Sequence, residues 1–286
     1  MFSAPGGARV VADAGVPKTP GWTRFVCFSD THGLHDEIPS AHKPEADVLL
    51  HAGDLTNTGE LEQVRSLSEW LKEYPARQKV VIAGNHDVTF QEEYYKRAWQ
   101  RYQRKPYNCH QVRAALTHCD YLEDRAIDVE GYQIYGSPWQ PEFGDWAFNL
   151  RRGDACRKAW EAIPPSPDVL VTHGPPKGIG DECSDGFHAG CEELLAAIRT
   201  RAVPVSVSGH IHEGYGAVSD GVSLFINAST CTLGYKPSNP PIVFDLPPVP
   251  ELREARASAS AARAAALATR DSYSTPPRGN GCRRMI

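Results

Sequence analysis

The sequence contains no uninterrupted apolar run approaching the roughly 18 residues that a bilayer-spanning helix requires, so no transmembrane segment is expected. Its opening stretch, MFSAPGGARVVADAGVPKTP, lacks a basic segment followed by a long apolar core, and no secretory signal is expected. Phe2 stands where N-myristoylation needs glycine, and four residues rather than three follow Cys282, so neither lipid anchor is expected. Basic excess is missing too. Lys and Arg number 30 against 35 Asp and Glu, a formal net charge of −5, which argues against a chain-wide nucleic-acid face. The eight cysteines form no CxxC pair, and without a secretory signal all eight are expected reduced, in a cytoplasmic setting. No internal repeat is visible.

What is present is enough apolar residues, 41% of 286, to bury one substantial core. Residues 1–22, rich in Gly, Ala and Pro, are expected to be a flexible leader. Residues 248–286 carry seven arginines against Glu251, Glu254 and Asp271 but few large apolar side chains, and are expected to be a disordered tail. Between them, at 23–247, five short apolar runs each end in a polar cluster: RFVCFSDTH, ADVLLHAGD, KVVIAGNHD, PDVLVTHG and VPVSVSGHIH. Such runs, apolar on both faces, are the pattern of fully buried strands. LEQVRSLSEWLKEYP places Leu61, Val64, Leu67, Trp70 and Leu71 near a 3.6-residue period and predicts a helix ended by Pro75. Strand, helix, strand predicts βαβ units in a layered α/β sandwich. EGYQIYGSPW, GVSLFINAST and PPIVFDLP show no helix between them and predict a more antiparallel second half.

In open α/β sheets ligands bind at the carboxyl ends of the strands, and there the five clusters sit. They offer Asp30, His32, Asp54, Asn85, His86, Asp87, His173, His210 and His212. His210 and His212, two apart in an expected extended segment, would point to one side. Carboxylate, imidazole and amide donors without thiolate suit Mn²⁺, Fe, Zn²⁺ or Co²⁺. Seven such ligands exceed one tetrahedral ion and fit two ions sharing a carboxylate, the arrangement that clamps phosphate esters. Taken singly, each residue has an innocent use. Asp30 or Asp54 could cap a helix, Asn85 could occupy a turn, and His173 could be structural. Five coincidences at five strand ends are harder to accept.

DTH, GD at Gly53–Asp54, GNHD at Gly84–Asp87, TH at His173 and GHIH at Gly209–His212 together resemble the calcineurin-like metallophosphoesterase superfamily, in its motif order. THGPP, HEGYG, INASTCT and NPPIVFDLP are most similar to its brain-type metallophosphoesterase domain-containing group. The resemblance implies a four-layer αββα sandwich of two mixed β-sheets flanked by helices. It also implies two divalent metal ions, Mn²⁺ favoured with Fe, Zn²⁺ or Co²⁺ as alternatives. Asp30, His32 and His212 would hold one ion, Asn85, His173 and His210 the other, and Asp54 would bridge them. A hydroxide between the ions would attack phosphorus, His86 would stabilise the transition state or protonate the leaving oxygen, and Asp87 would orient His86. Some members of the group carry Gly where His210 stands, so this site is the more complete one.

The implied activity is a metal-dependent phosphodiesterase acting on cyclic nucleotides or other small phosphodiesters. A phosphomonoesterase with the same site is the alternative, and a silent metal- or nucleotide-binding scaffold is the alternative from another class. The partner is a small phosphoester, with neither membrane nor nucleic acid expected. Outside the motifs, GSPWQPEFGDWAFN is expected either to pack or to wall the site. In the second case Trp139 and Phe143 would stack on a base while Asn149 and Arg151 reach the substrate. His51, inside a strand run, is expected to be buried and hydrogen-bonded.

Overall fold

The computed structural model describes residues 2–3, 7–11 and 15–273. Two short strands, β1 (Phe2–Ser3) and β2 (Arg9–Val11), precede β3 (Thr23–Phe28), β4 (Ala46–Ala52), helix α1 (Leu61–Glu73) and β5 (Ala76–Ile82). Helices α2 (Glu92–Ala98) and α3 (Cys109–Ala114) lead to β6 (Asp120–Tyr121), β7 (Arg125–Val129) and β8 (Tyr132–Ser137). A small ribbon of β9 (Gln140–Pro141) and β10 (Asn149–Leu150) comes next, then α4 (Asp154–Glu161), β11 (Val169–Thr172), α5 (Glu192–Arg201) and β12 (Val205–Ser208). β13 (Gly216–Ser219), β14 (Leu224–Asn227), β15 (Ile242–Leu246) and α6 (Val249–Tyr273) complete the described chain.

The strands form two large mixed sheets, ordered β1-β2-β15-β3-β4-β5-β6 and β13-β14-β12-β11-β8-β7. Alternation along each strand sorts side chains into three packed layers. Phe25, Cys27, Val48 and Leu50 face Val169, Val171, Val205 and Val207 between the sheets. Val26, Phe28 and Leu49 pack outward on Val64, Leu67, Trp70 and Leu71 of α1. On the other side Leu170 and Phe225 meet Trp160 of α4 with Leu194 and Ile198 of α5. Helices, sheet, sheet, helices is the four-layer order that the motifs implied.

Three expectations need correction. The leader is partly structured: β2 pairs with β15, and the Val16 carbonyl accepts from Arg24, whose guanidinium grips Asp245 at 2.8 and 3.0 Å in a buried ion pair. The tail begins as α6, because Leu252 is fully buried in the inter-sheet core and Arg253 meets Asp168 at 3.1 Å. Positions 1, 4–6, 12–14 and 274–286, including Cys282, lie outside the described residues. Lastly, the centre of the second sheet is parallel, β14, β12, β11 and β8 in succession, with antiparallel pairing only at its edges. Helices α4 and α5 supply the crossovers that parallel strands need, and PPIVFDLP joins the first sheet rather than the second.

Candidate metal centre

The loops after β3, β4, β5, β11 and β12 meet at one edge where the two sheets touch. A parallel bridge joins Ser29 to Ser229, Asp30 N donates to Gly53 O, His32 N to Asp54 O, and Gly209 N to His173 O. Two motif glycines permit this approach. A Cβ on Gly84 would lie 2.3 Å from Asp54 N, and one on Gly209 would lie 2.0 Å from Ser29 Oγ, so any side chain there displaces the site.

The loops deliver two triads with no residue in common whose ligand atoms lie within 4.8 Å of one another, Asp30–His32–His212 and Asp54–His173–His210, and a third such group, His32–Asp54–His86, overlaps both. Asp54 spans both, with Oδ2 3.8 Å from His32 Nε2 and Oδ1 3.4 Å from His173 Nε2. Asn85 Oδ1 lies 2.9 Å from His173 Nε2 and completes the second set. His32 Nε2 and His212 Nε2 face each other at 3.2 Å. His173 Nδ1 lies 2.9 Å from the Ala52 carbonyl and His212 Nδ1 lies 3.1 Å from that of Thr232. Each carbonyl can only accept, so each ring carries its hydrogen on Nδ1 and turns Nε2 into the site. His210 and His212 do serve different triads, but not from an extended strand. His210 adopts φ 69°, after β12 has ended, and His212 opens a 3₁₀ turn.

Burial and opposite charge set the electrostatics. Burial opposes the charge on Asp54, but His173, His86 and His32 hold its carboxyl well below the usual carboxylate range. Asp30 is lowered against its burial by His212 and His173. In return, and again against burial, Asp54 raises His173 to about 9 and Asp30 raises His212 to about 9. Burial takes His32 down to about 4 and His210 to about 3. Two anionic carboxylates among buried imidazoles, with no thiolate, are a donor set that fits two divalent ions. The residues present therefore suit the metals that the fold implies.

His86 stands beside both triads. Its Nδ1 lies 2.8 Å from the Asn57 carbonyl, its ring stacks on Trp146 at 4.2 Å between centroids, and its backbone N–H donates to Asp54 Oδ1. Asp87 does not orient that ring. Its carboxylate accepts from Leu55 N, Thr56 N, Thr56 Oγ1 and Gly84 N, which occupies it in lacing the β4 and β5 loops together. His51 is buried with Nε2 3.0 Å from Thr31 Oγ1.

A cleft of about 480 Å³ opens over Asp54, Asn85, His86, His210 and His212. Its rim holds Phe143, Phe187, Leu233 and Tyr235, four of the five large apolar or aromatic side chains left exposed among the described residues. Asp185 and Glu213 also line it, and no described Lys or Arg does. Of the residues expected to wall the site, Phe143 lines the cleft. Trp139 does not: its indole N–H donates to Asp124 at 2.7 Å and its ring packs edge-on against Phe148. The Asn149 side chain is spent on the carbonyls of Phe143 and Gly144, where it shapes the loop, and neither Asn149 nor Arg151 lines the cleft. Sequence reasoning missed Phe187, Leu233 and Tyr235. Their one signal was a large side chain stranded in a polar, Gly-containing loop (SDGFHAG, CTLGYK).

With this geometry in hand, comparison with known proteins gives the class. The calcineurin-like phosphoesterase family profile matches residues 23–214, a span that contains all seven candidate ligands, and the chain belongs to that family. Metallophosphoesterase domain-containing protein 1 of Homo sapiens is 47% identical over 241 residues, 81% of this chain and 73% of that protein. UPF0046 protein T07D4.2 of Caenorhabditis elegans is 39% identical over 254 residues, 83% of this chain and 63% of that protein. A solved crystal structure at 16% identity superposes with a TM-score of 0.50, covering 72% of this chain and 90% of its own, and shows the fold alone. The family makes the chain a phosphoric ester hydrolase that uses divalent metal, for which the two triads are candidate ligands.

Proposed function

We propose that the chain is a dinuclear metal-dependent phosphodiesterase. The observation that carries this reading is the pair of triads meeting at Asp54. Asp30, His32 and His212 would hold one ion, Asn85, His173 and His210 the other, with Asp54 between them. When bound, the two ions supply Lewis-acid charge for the phosphoryl oxygens and a water made acidic enough to attack near neutral pH. The chain's own groups do the rest. The Asn57 carbonyl and the Trp146 face fix the His86 ring, leaving Nε2 as its free nitrogen beside the cleft. When Nε2 carries a proton as well, His86 would stabilise charge on phosphorus and give that proton to the departing ester oxygen, returning to the neutral ring with its hydrogen on Nδ1. The buried backbone donors around Asp87 hold this loop rigid.

Diester is favoured over monoester by the cleft's charge. A diester brings one negative charge and a second ester group, whereas a monoester brings two charges and none. The lining offers carboxylates at Asp185 and Glu213, no described Lys or Arg, and an apolar rim for that second group. A nucleobase of a cyclic nucleotide would lie against Phe143 or Tyr235. The test is hydrolysis of bis-p-nitrophenyl phosphate and p-nitrophenyl phosphate by Mn²⁺-loaded protein, beside His86→Ala and His210→Ala. We expect at least a tenfold preference in kcat/KM for the diester and a loss of 10²-fold or more in both variants. Equal turnover of both esters would return the reading to monoesterase. Bound metal with no turnover of either would make the chain a binding scaffold.

A further inference from the structure

Outside the cleft, the helical layer over the second sheet brings two thiols and a carboxylate together. Cys156 lies in α4, Cys191 caps α5, both are fully buried, and Glu193 follows two residues on. Cys156, Cys191 and Glu193 each offer a ligand atom within 4.8 Å of the other two. Cys191 Sγ lies 3.3 Å from Glu193 Oε2. Two thiolates and a carboxylate oxygen on one tetrahedral ion stand about 3.5–4 Å apart, given metal–sulfur bonds near 2.3 Å and metal–oxygen bonds near 2.1 Å. Small side-chain rotations would bring all three onto one centre.

Donors reach one of the two sulfurs: the Cys156 thiol and burial push the Cys191 thiol well up, and Cys156 Sγ gives its own hydrogen to the Arg151 carbonyl at 3.3 Å, so an ion would have to displace both protons. The Trp160 indole N–H donates to Cys191 Sγ at 3.2 Å and the Leu194 backbone N–H does so at 3.4 Å, at the positive end of α5. Gly153 N holds the other Glu193 oxygen at 2.8 Å. The hydrogen bond with Cys191 lowers the Cys156 thiol, and Arg152, anchored on the Ala189 and Gly190 carbonyls, adds a smaller push toward the ionised forms of both Cys156 and Glu193. Two thiolates, a carboxylate and a divalent ion sum to one negative charge, which this guanidinium offsets. Glu193 is half-exposed, so a water can complete the coordination.

We propose that Cys156, Cys191 and Glu193 form a separate thiolate-rich site for a thiophilic divalent cation, Zn²⁺ by its chemistry. The position gives it a use. Cys191 closes the loop that carries Ser184, Asp185, Phe187 and Ala189 into the catalytic cleft, and its backbone pairs with that of Pro175 and Lys177. An ion here would tie α4 to the base of that loop.

The test uses the full chain, reduced, with the catalytic ligands first filled by Mn²⁺ and then titrated with Co²⁺. Neither catalytic triad contains sulfur, so a thiolate-to-cobalt charge-transfer band reports another site. We expect a band that saturates at one equivalent and is displaced by Zn²⁺. It should vanish in Cys156→Ser and in Cys191→Ser, yet persist in Cys183→Ser, which removes the thiol lining the cleft. Trp160→Phe, which keeps the bulk and removes the donor, should weaken cobalt binding about tenfold. The proposal is overturned by absence of the band, by a band that survives both serine variants, or by loss of two thiols to a disulfide without metal uptake. Far-UV circular dichroism of each variant separates a lost site from a lost fold.

Discussion

At the residue scale four of the seven candidate ligands share a backbone property that no motif spells out. Asp30, His32, Asp54 and His210 all have positive φ, between 46° and 69°, a region that side chains other than glycine enter at a cost of order 1 kcal/mol or more each. Such strain persists where surrounding contacts over-determine it, here the lacing of Asp30, Asp54 and Gly209 by backbone hydrogen bonds. It gives a test with an unusual sign. Glycine normally costs about 0.5–1 kcal/mol relative to alanine, but at His210 it relieves the left-handed backbone. His210→Gly should therefore be at least as stable as His210→Ala in urea unfolding, by up to about 1 kcal/mol, while both lose activity. A clearly less stable glycine variant would remove strain from the account. The donor identities were legible because each follows a short apolar run. What Asp87 does was not legible, because its partners, Leu55 and Thr56, lie some thirty positions earlier in the chain and only the folded loops bring them together. Trp139 misled for the same reason: its Asp124 partner belongs to a different loop.

At the element scale the five motif strands and α1 could be read directly, since buried parallel strands and an amphipathic helix each leave a period in the sequence. Elements that failed this test are short or sparsely apolar. β2 is three residues in a Gly- and Ala-rich stretch, and α6 docks through one fully buried leucine among alanines and arginines. Leu252→Ala should then cost about 2–4 kcal/mol, because it opens a cavity in the inter-sheet core. No change in the urea midpoint would mean that α6 does not dock. Asp47, in β4, holds three segments at once. It accepts from Arg24 N at 2.7 Å, pairs with Arg77 at 2.9 Å, and meets Lys18 of the expected leader. Burial opposes its charge, but these partners outweigh it and lower its pKa. A carboxylate lowered in the folded state contributes stability that is present above the unfolded value near 3.9 and is lost as pH falls through the folded one. Asp47→Asn should cost about 1–2 kcal/mol at pH 7. The gap to the unsubstituted protein should close below about pH 4, and a pH-independent gap would point to packing instead.

At the scale of the whole molecule the site exists only because two sheets meet. Asp30 and His32 come from the first sheet and His212 from the second; Asp54 comes from the first and His173 and His210 from the second. Each ion would thus cross the seam between the halves, so metal binding and global stability are linked, by about 2.7 kcal/mol for a site at one hundred times its Kd. Protons are part of that linkage. His173 and His212, at about 9, are protonated at pH 7, whereas His32 and His210, at about 4 and 3, are neutral. An imidazole binds metal only through a nitrogen free of its proton. Saturating chelator-stripped protein with Mn²⁺, an oxygen- and nitrogen-seeking ion that leaves the thiols alone, at pH 7 should accordingly release about two protons, one from each raised histidine. Apparent affinity should rise with pH through about 9 and level off above it, as both rings become neutral. Calorimetry in two buffers of different ionisation heat measures the proton count. His210→Ala should leave the count near two, because that ring has no proton to lose, whereas His212→Ala should lower it to about one. A count near zero in the unsubstituted protein would mean that His173 and His212 stay paired with Asp54 and Asp30 and that the metal binds elsewhere.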